Sequence, residues 1–181
     1  TSFAFREAPE QVAEEKGKVD PLLENILPPP AVAEIKLTGG VVPRRFENVA
    51  VLFSDLVGFT NYCDQHTPEE VVRELGDLFL TYESCARRHG LEKIKTIGDA
   101  FLATAGLLEA VEDTLHSAVS CALAISEEAR RIGRGWRVRS GVHIGPVMAG
   151  IVGQERYQFD VWGDTVNVAS RLTGAASPGG V

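Results

Sequence analysis

Two aspartates stand where carboxylates can hold a hard cation. Asp55 lies in FSDLVGFT, just after the apolar run VAVLFS, and Asp99 lies in KTIGDAF, at the start of the apolar run AFLATA. Each sits where a run suited to a buried strand meets a glycine-containing turn, beside backbone amides that glycine leaves accessible. Carboxylates in that setting bind magnesium against a polyphosphate. The pair is 44 residues apart in sequence; if strands 48–54 and 91–97 are neighbours, both carboxylates converge at one sheet end. Carboxylates that close repel one another unless a cation lies between them. Taken singly, Asp55 serves equally well as a helix cap and Asp99 as a surface turn residue.

Two further segments carry polar groups of the right types. Gly58, Phe59 and Thr60 follow Asp55 and begin a helix, whose free amides and positive dipole end suit phosphate oxygens. In FDVWGDTVNVASRL, Asp164 is a cap after Gly163, and Asn167 and Arg171 fall at i and i+4 on one helix face. A neutral amide and a guanidinium fork can orient a sugar and neutralise a phosphoryl transition state. The same two residues also read as a solvated polar stripe, with Val166, Val168 and Leu172 packing elsewhere.

The elements that must position these groups are legible from Asn48 onward. NVAVLFS reads as a buried strand. Thr67-Pro68-Glu69-Glu70 is a capping box opening a helix to about His89, with Val71, Leu75, Leu78 and Tyr82 on one face. LEKIKTI and AFLATA form a hairpin across Gly98-Asp99, a glycine-first pair suited to a type II′ turn. A second helix runs from about Asp113 to Ile132, acidic at its start, with Arg130 and Arg131 near its end and Gly133 beyond. WRVRSGVHIG alternates as a strand, VMAGIVG is a further short strand, and a last helix starts near Asp164. This order gives an α+β fold, with helices on one side of a mostly antiparallel sheet.

Residues 1–45 differ. Asp20-Pro21 looks like a helix start, Leu22, Leu23, Ile26 and Leu27 form a short apolar stripe, and Pro28, Pro29 and Pro30 stop it. A segment over 31–37 ends at Gly39-Gly40. Either a linker or a connector from an upstream domain fits this composition.

With 181 residues and 44% apolar content the chain can bury a real core, and no apolar run approaches the ~18 residues of a bilayer span. A formal charge of −7 argues against nonspecific nucleic-acid binding, which needs clustered Lys and Arg. It does not exclude an anionic small substrate met by a metal pair and local cations. Cys63, Cys85 and Cys121 lack metal-type spacing and read as free thiols of a reducing cytosol.

FSDLVGFT, EKIKTIGDAF, SGVHIGPVMAGIVG and YQFDVWGDTVNVASRL, in this order and spacing over residues 46–177, resemble the signature of the class III nucleotide cyclases, the adenylyl and guanylyl cyclase catalytic domain. The resemblance implies a ferredoxin-like core over 46–181, preceded by a helical linker or signal-transducing segment over 1–45. It implies two Mg²⁺ or Mn²⁺ ions on Asp55 and Asp99, with the Leu56 carbonyl as a further ligand, and Gly58, Phe59 and Thr60 cradling phosphates. Asn167 would orient the ribose and Arg171 would stabilise the transition state. The expected assembly is a head-to-tail homodimer. In it the metal aspartates of one chain work with the purine, ribose and arginine residues of the other. A cytoplasmic location follows for this domain, with a sensory or membrane domain upstream in the parent protein.

Family members read the base with the residue just before TIGD and one before WG, here Lys95 and Asp160. An aspartate that accepts and a lysine that donates match adenine's amino group and ring nitrogen. Guanine reverses that pattern, and each unpaired buried polar group costs about 1–3 kcal/mol. The expected substrate is therefore ATP, converted to cyclic AMP and pyrophosphate; the alternatives are a guanylate cyclase, or a noncatalytic cyclase-like dimerisation or nucleotide-sensing module. No side-chain base stands out, since His143, in an alternating strand, reads as structural. The sequence stops at Val181, short of the strands and phosphate-contacting lysine that family domains carry, so a C-terminally truncated domain is expected.

Overall fold

The computed structural model describes residues 25–132, 135–153 and 157–181. The chain divides into two compact units. One takes the described residues up to Pro43 together with Gly150–Phe159; the other is Arg44–Ala149 with Asp160–Val181.

In the first unit, helix α1 spans Pro29–Thr38. Pro29 and Pro30 occupy its opening positions, where a missing N–H costs nothing. Gly39, at φ 80°, ends it by donating its N–H to the Ile35 carbonyl. The proline triplet thus starts a helix. Of the helix start and apolar stripe expected before it, Asp20, Pro21, Leu22 and Leu23 lie outside the described residues.

The second unit holds most of the sheet that positions the polar groups. β1 (Arg44–Leu56) is its central strand, and residues 49–54 are buried because both faces are covered. β2 (Glu92–Ile97) and β3 (Ala100–Ala105) form the expected hairpin. Its turn has positive φ at Gly98 alone, as a type II′ turn requires. The full order is β2-β3-β1-β4-β5, with β4 running Val138–Val152 and β5 Gln158–Trp162. The 91–97 strand is therefore not β1's neighbour, because β3 lies between them.

β4 is one strand where two were expected. It runs through Pro146, which falls where the β1–β4 register shifts, between the Phe46–Val147 and Val49–Gly145 pairs. A proline has no ladder N–H to give, and at a bulge none is needed. β5 was not anticipated as a separate strand.

Helices α2 (Phe59–Gln65), α3 (Pro68–Arg88), α4 (Thr114–Arg131) and α5 (Asp164–Ala175) complete the unit. α3 opens with the reciprocal Thr67–Glu70 capping box, and α4 with the Asp113 carboxylate accepting the His116 N–H. α3 and α4 pack on the expected face, where Leu78, Tyr82, Cys85, Ala118, Cys121 and Ile125 meet Leu52, Phe101 and Ala103. Cys63, Cys85 and Cys121 are free thiols, and burial pushes Cys121 up to about 12.

α5 lies on the opposite face. Gly141 is the register partner of Phe53, whose side chain points away from the Leu52 side. A Cβ on Gly141 would fall 2.3 Å from the Ala169 carbonyl oxygen and 2.4 Å from the Thr173 nitrogen. The helix face that makes this approach is Thr165, Ala169 and Thr173, all buried, rather than the expected larger valines and leucine; Leu172 is exposed. Among the described residues no helix is long and apolar enough to cross a membrane.

Candidate active site

Asp55 and Asp99 converge, by a route other than the one expected. Ser54 is opposite Phe101 in the β1–β3 ladder, so Asp55 falls one step further on, beside the turn that carries Asp99. Burial holds the Asp99 carboxyl above the ordinary aspartate range, and hydrogen bonding to Asp55 together with the Asp55 charge raises it further. The backbone amides of Asp99 and Leu56 pull the other way, which places Leu56's backbone at the same spot. Two carboxylates sharing a half-buried site form a hard-oxygen donor set, and a divalent cation is the group that relieves their repulsion. Among the described residues no cluster of three or more His, Cys, Asp or Glu converges, so remaining ligands would come from backbone, water or substrate. That is the habit of magnesium sites on phosphate substrates.

Sequence reasoning missed the residue that touches Asp55 most directly. Arg139, on β4, is the register partner of Asp55, and its Nε and Nη2 donate to Asp55 Oδ2 at 2.9 and 2.6 Å. The Asp55 side chain is 23% exposed and that of Arg139 35%. Nothing local marks Arg139 out in WRVRSGVHIG; only the cross-strand register links it to a residue 84 positions earlier. Beneath the pair, the buried hydroxyls of Ser54 and Ser140 hydrogen-bond at 2.9 Å.

Gly58 enters α2 with φ 80°, a left-handed conformation that favours glycine. The first intrahelical bond is from the Tyr62 N–H to the Gly58 carbonyl, so the amides of Phe59 and Thr60 precede it. Phe59 packs on the core and Thr60 is exposed. These amides lie in the turn that follows Asp55.

Lys95 and Asp160 come together as an ion pair, Nζ to Oδ2 at 2.5 Å, with the side chains 27% and 9% exposed. The other Asp160 oxygen accepts the Val161 N–H at 2.8 Å. A bulge in β2 explains how Lys95 gets there. Lys93 and Lys95 would share a face in a regular strand, but the register shifts between them. Lys93 then stands with Ala103 on the α3 side and pairs with Glu83, while Lys95 stands with Leu102 on the other face. A flat sheet would hold β2 and β5 roughly 19 Å apart. The contact therefore requires the outer strands to curl toward each other.

Asn167 and Arg171 lie on one exposed face of α5, as expected. Gly163 rather than Asp164 is the cap, and Asp164 is the first helical residue. Arg171 is 73% exposed, reaching Asp164 at 3.5 Å and the Asn167 carbonyl at 3.4 Å. Among the described residues neither side chain bonds to Asp55, Asp99, Lys95 or Asp160. His143 is half-buried on β4 opposite Val51, lining a cleft of about 370 Å³ with Arg45, Trp162 and Asp164.

Known proteins bear on this arrangement. Residues 41–181 match the family model described as the adenylate and guanylate cyclase catalytic domain. The chain is 40% identical over 160 residues to a germination-specific adenylate cyclase of Dictyostelium discoideum, covering 83% of this chain and 18% of that protein. It is 34% identical over 168 residues to a receptor-type guanylate cyclase of Caenorhabditis elegans, covering 89% of this chain and 16% of that protein. The chain thus spans less than a fifth of the length of these two relatives. Among solved structures, the catalytic core of a rhodopsin-guanylyl cyclase with converted specificity, in complex with ATPαS, superposes with a TM-score of 0.72 at 37% identity, covering 76% of this chain and 77% of that one. With the family model spanning most of its length, the chain belongs to the adenylate and guanylate cyclase catalytic domain family.

Proposed function

We propose that the chain is an adenylate cyclase domain that converts ATP to 3′,5′-cyclic AMP and pyrophosphate at sites shared between two copies. Relatives of both substrate types exist, so the choice of ATP rests on the base-reading residues of this chain. The observation that carries it is the Lys95–Asp160 pair, 2.5 Å apart with the aspartate 9% exposed. It offers one donor and one acceptor side by side, the pattern adenine's pairing edge requires. Guanine would set its carbonyl against Asp160 and its ring N–H against Lys95.

Asp55 and Asp99, with the Leu56 carbonyl, would hold two Mg²⁺ or Mn²⁺ ions. When bound, these ions supply a lowered hydroxyl pKa and charge neutralisation of the leaving pyrophosphate. The rest is positioning by the chain. Gly58, Phe59 and Thr60 receive the terminal phosphates on backbone amides, Asn167 orients the ribose, and Arg171 neutralises charge as the 3′-oxygen bonds to the α-phosphorus. The bond from that phosphorus to the pyrophosphate oxygen breaks, and the hydroxyl proton passes to solvent. Intramolecular attack needs orientation more than a side-chain base.

The exposure of Arg171 supports a shared site. A guanidinium that is 73% exposed and, among the described residues, bonded only within its own helix can reach a second copy's nucleotide. We place the domain in the cytoplasm, over residues 46–181, with residues 1–45 linking it to an upstream sensory or membrane domain.

The test is direct competition. Equimolar ATP and GTP with Mn²⁺, the products separated by chromatography, should give cyclic AMP in at least about tenfold excess, as one unpaired polar group would impose. Equal products, or an excess of cyclic GMP, would contradict the assignment.

A further inference from the structure

Tyr82 takes no part in the reading just given, yet its hydroxyl is a buried donor that the fold leaves unused. The residue is 1% exposed, and among the described residues the hydroxyl has no hydrogen-bond partner. A phenylalanine would fill the same space without stripping water from a polar group. The ring is held edge-on by Phe101 and Phe79, at 5.6 and 6.1 Å between centroids.

Topology directs the hydroxyl. α3 ends at Arg88 and β2 starts at Glu92, and Glu83 of the helix pairs with Lys93 of the strand, so the two run antiparallel. Moving back along α3 is therefore moving forward along β2, toward the Gly98-Asp99 turn. Tyr82 stands six residues before Arg88, about 9 Å up the helix. A helical side chain leans further toward the helix N-terminus. Phe101, which the ring touches, is two residues beyond Asp99 and opposite Ser54, the neighbour of Asp55. The hydroxyl thus rises toward the carboxylate pair from the core side. Burial first, then Cys85, Asp55 and Asp99, hold it above the ordinary tyrosine range, so it keeps its proton and stays a donor.

We propose that Tyr82 is a positioning residue whose hydroxyl donates, through one water molecule, to the Asp55–Asp99 carboxylate pair and holds it in the geometry that a divalent cation needs. The inference rests on the reading of Asp55 and Asp99 as metal ligands. A buried water needs two to four polar partners, and the hydroxyl and the two carboxylates supply three. Carboxylates that ligate metals are themselves held by hydrogen bonds, and losing such a partner weakens metal binding. A hydroxyl idle in every state predicts another pattern. Removing it then makes the metal-free fold more stable and leaves metal affinity unchanged.

The experiment measures Mn²⁺ binding by electron paramagnetic resonance in the absence of nucleotide, comparing the unmodified chain with Tyr82→Phe, which keeps the ring and removes one oxygen. We expect Tyr82→Phe to bind Mn²⁺ about tenfold more weakly, the lower end of what such a loss costs. The rise in Tm that Mn²⁺ produces should shrink with it. Affinity equal to that of the unmodified chain, or tighter, overturns the proposal. A second readout needs no variant protein to bind metal. The chain has three tyrosines, so labelling with ¹³Cζ-tyrosine resolves Tyr82, identified by its absence in Tyr82→Phe. That signal should move in the unmodified chain on titration with Mg²⁺; a signal that stays fixed at saturation overturns the proposal equally. A double Asp55→Asn, Asp99→Asn variant separates the two levels. Mn²⁺ binding that survives it removes the metal reading and this proposal together; binding lost there but indifferent to Tyr82→Phe removes only the proposal.

Discussion

The carboxylate end of the sheet and the polar face of α5 are built in opposite ways. Asp55 is three-quarters buried, tied to Arg139 across the β1–β4 ladder and set against Asp99 across a turn. Arg171, by contrast, is 73% exposed and, among the described residues, bonds only within its own helix. The first region has more negative charge than its surroundings neutralise, and the second holds a positive charge out to solvent. Among the described residues no hydrogen bond or ion pair joins the two. Complementary halves that do not meet are what a site shared by two copies needs, since a two-fold assembly can place each half against its counterpart.

The contrast can be broken from either side. The largest effect is expected at the carboxylates. Asp55→Ala or Asp99→Ala should lower cyclase turnover by about a hundredfold or more, the scale of losing a transition-state electrostatic group. Stability should fall little in Asp99→Ala, which ends a like-charge contact, and further in Asp55→Ala, which also leaves the Arg139 guanidinium unpaired; steady-state rates and thermal melts check both. Next comes the base-reading pair. Asp160→Asn keeps the shape but removes the charge that holds Lys95, and should cut the ATP-over-GTP ratio of kcat/KM by about tenfold, ~1.4 kcal/mol. An unchanged ratio would leave the pair without a role in base choice.

A smaller effect tests how α5 is held. Gly141→Ala drives a methyl into the backbone at Ala169 and Thr173. We expect a loss of about 2 kcal/mol, near the middle of the overpacking range, read as a Tm lower by roughly 4–8 °C. The smallest effect belongs to the capping box. Thr67→Ala frees the Glu70 N–H at the start of α3 and should cost about 1 kcal/mol without altering substrate choice.

What the sequence made legible follows the range of each signal. The Thr67–Glu70 box, the Gly98-Asp99 turn and the Asp113 cap are set by residues a few positions apart, and the elements they open lie where expected. Long-range placement was harder to see. Nothing near Asp99 says that β3 rather than β2 lies beside β1, and nothing near Pro146 says that the bulge at Phe46–Val49 lets β4 continue. The packing face of α5 was misjudged for a related reason. Valines and a leucine look like core, but glycines on β4 admit only threonine and alanine. Of the site, the carboxylates, the Lys95–Asp160 pair and the Asn167–Arg171 face were named from motifs. Arg139 was not, because its meaning lies wholly in a cross-strand register.

The shared site is tested most directly by complementation. Asp55→Ala and Arg171→Ala chains, each inactive alone, are mixed in equal amounts and allowed to exchange. In a mixed dimer one site carries both lesions and the other neither, so random pairing predicts recovery of about a quarter of unmodified activity. Recovery at that level supports a site built from two chains. No recovery, with mixed dimers demonstrated by mass spectrometry, would contradict it.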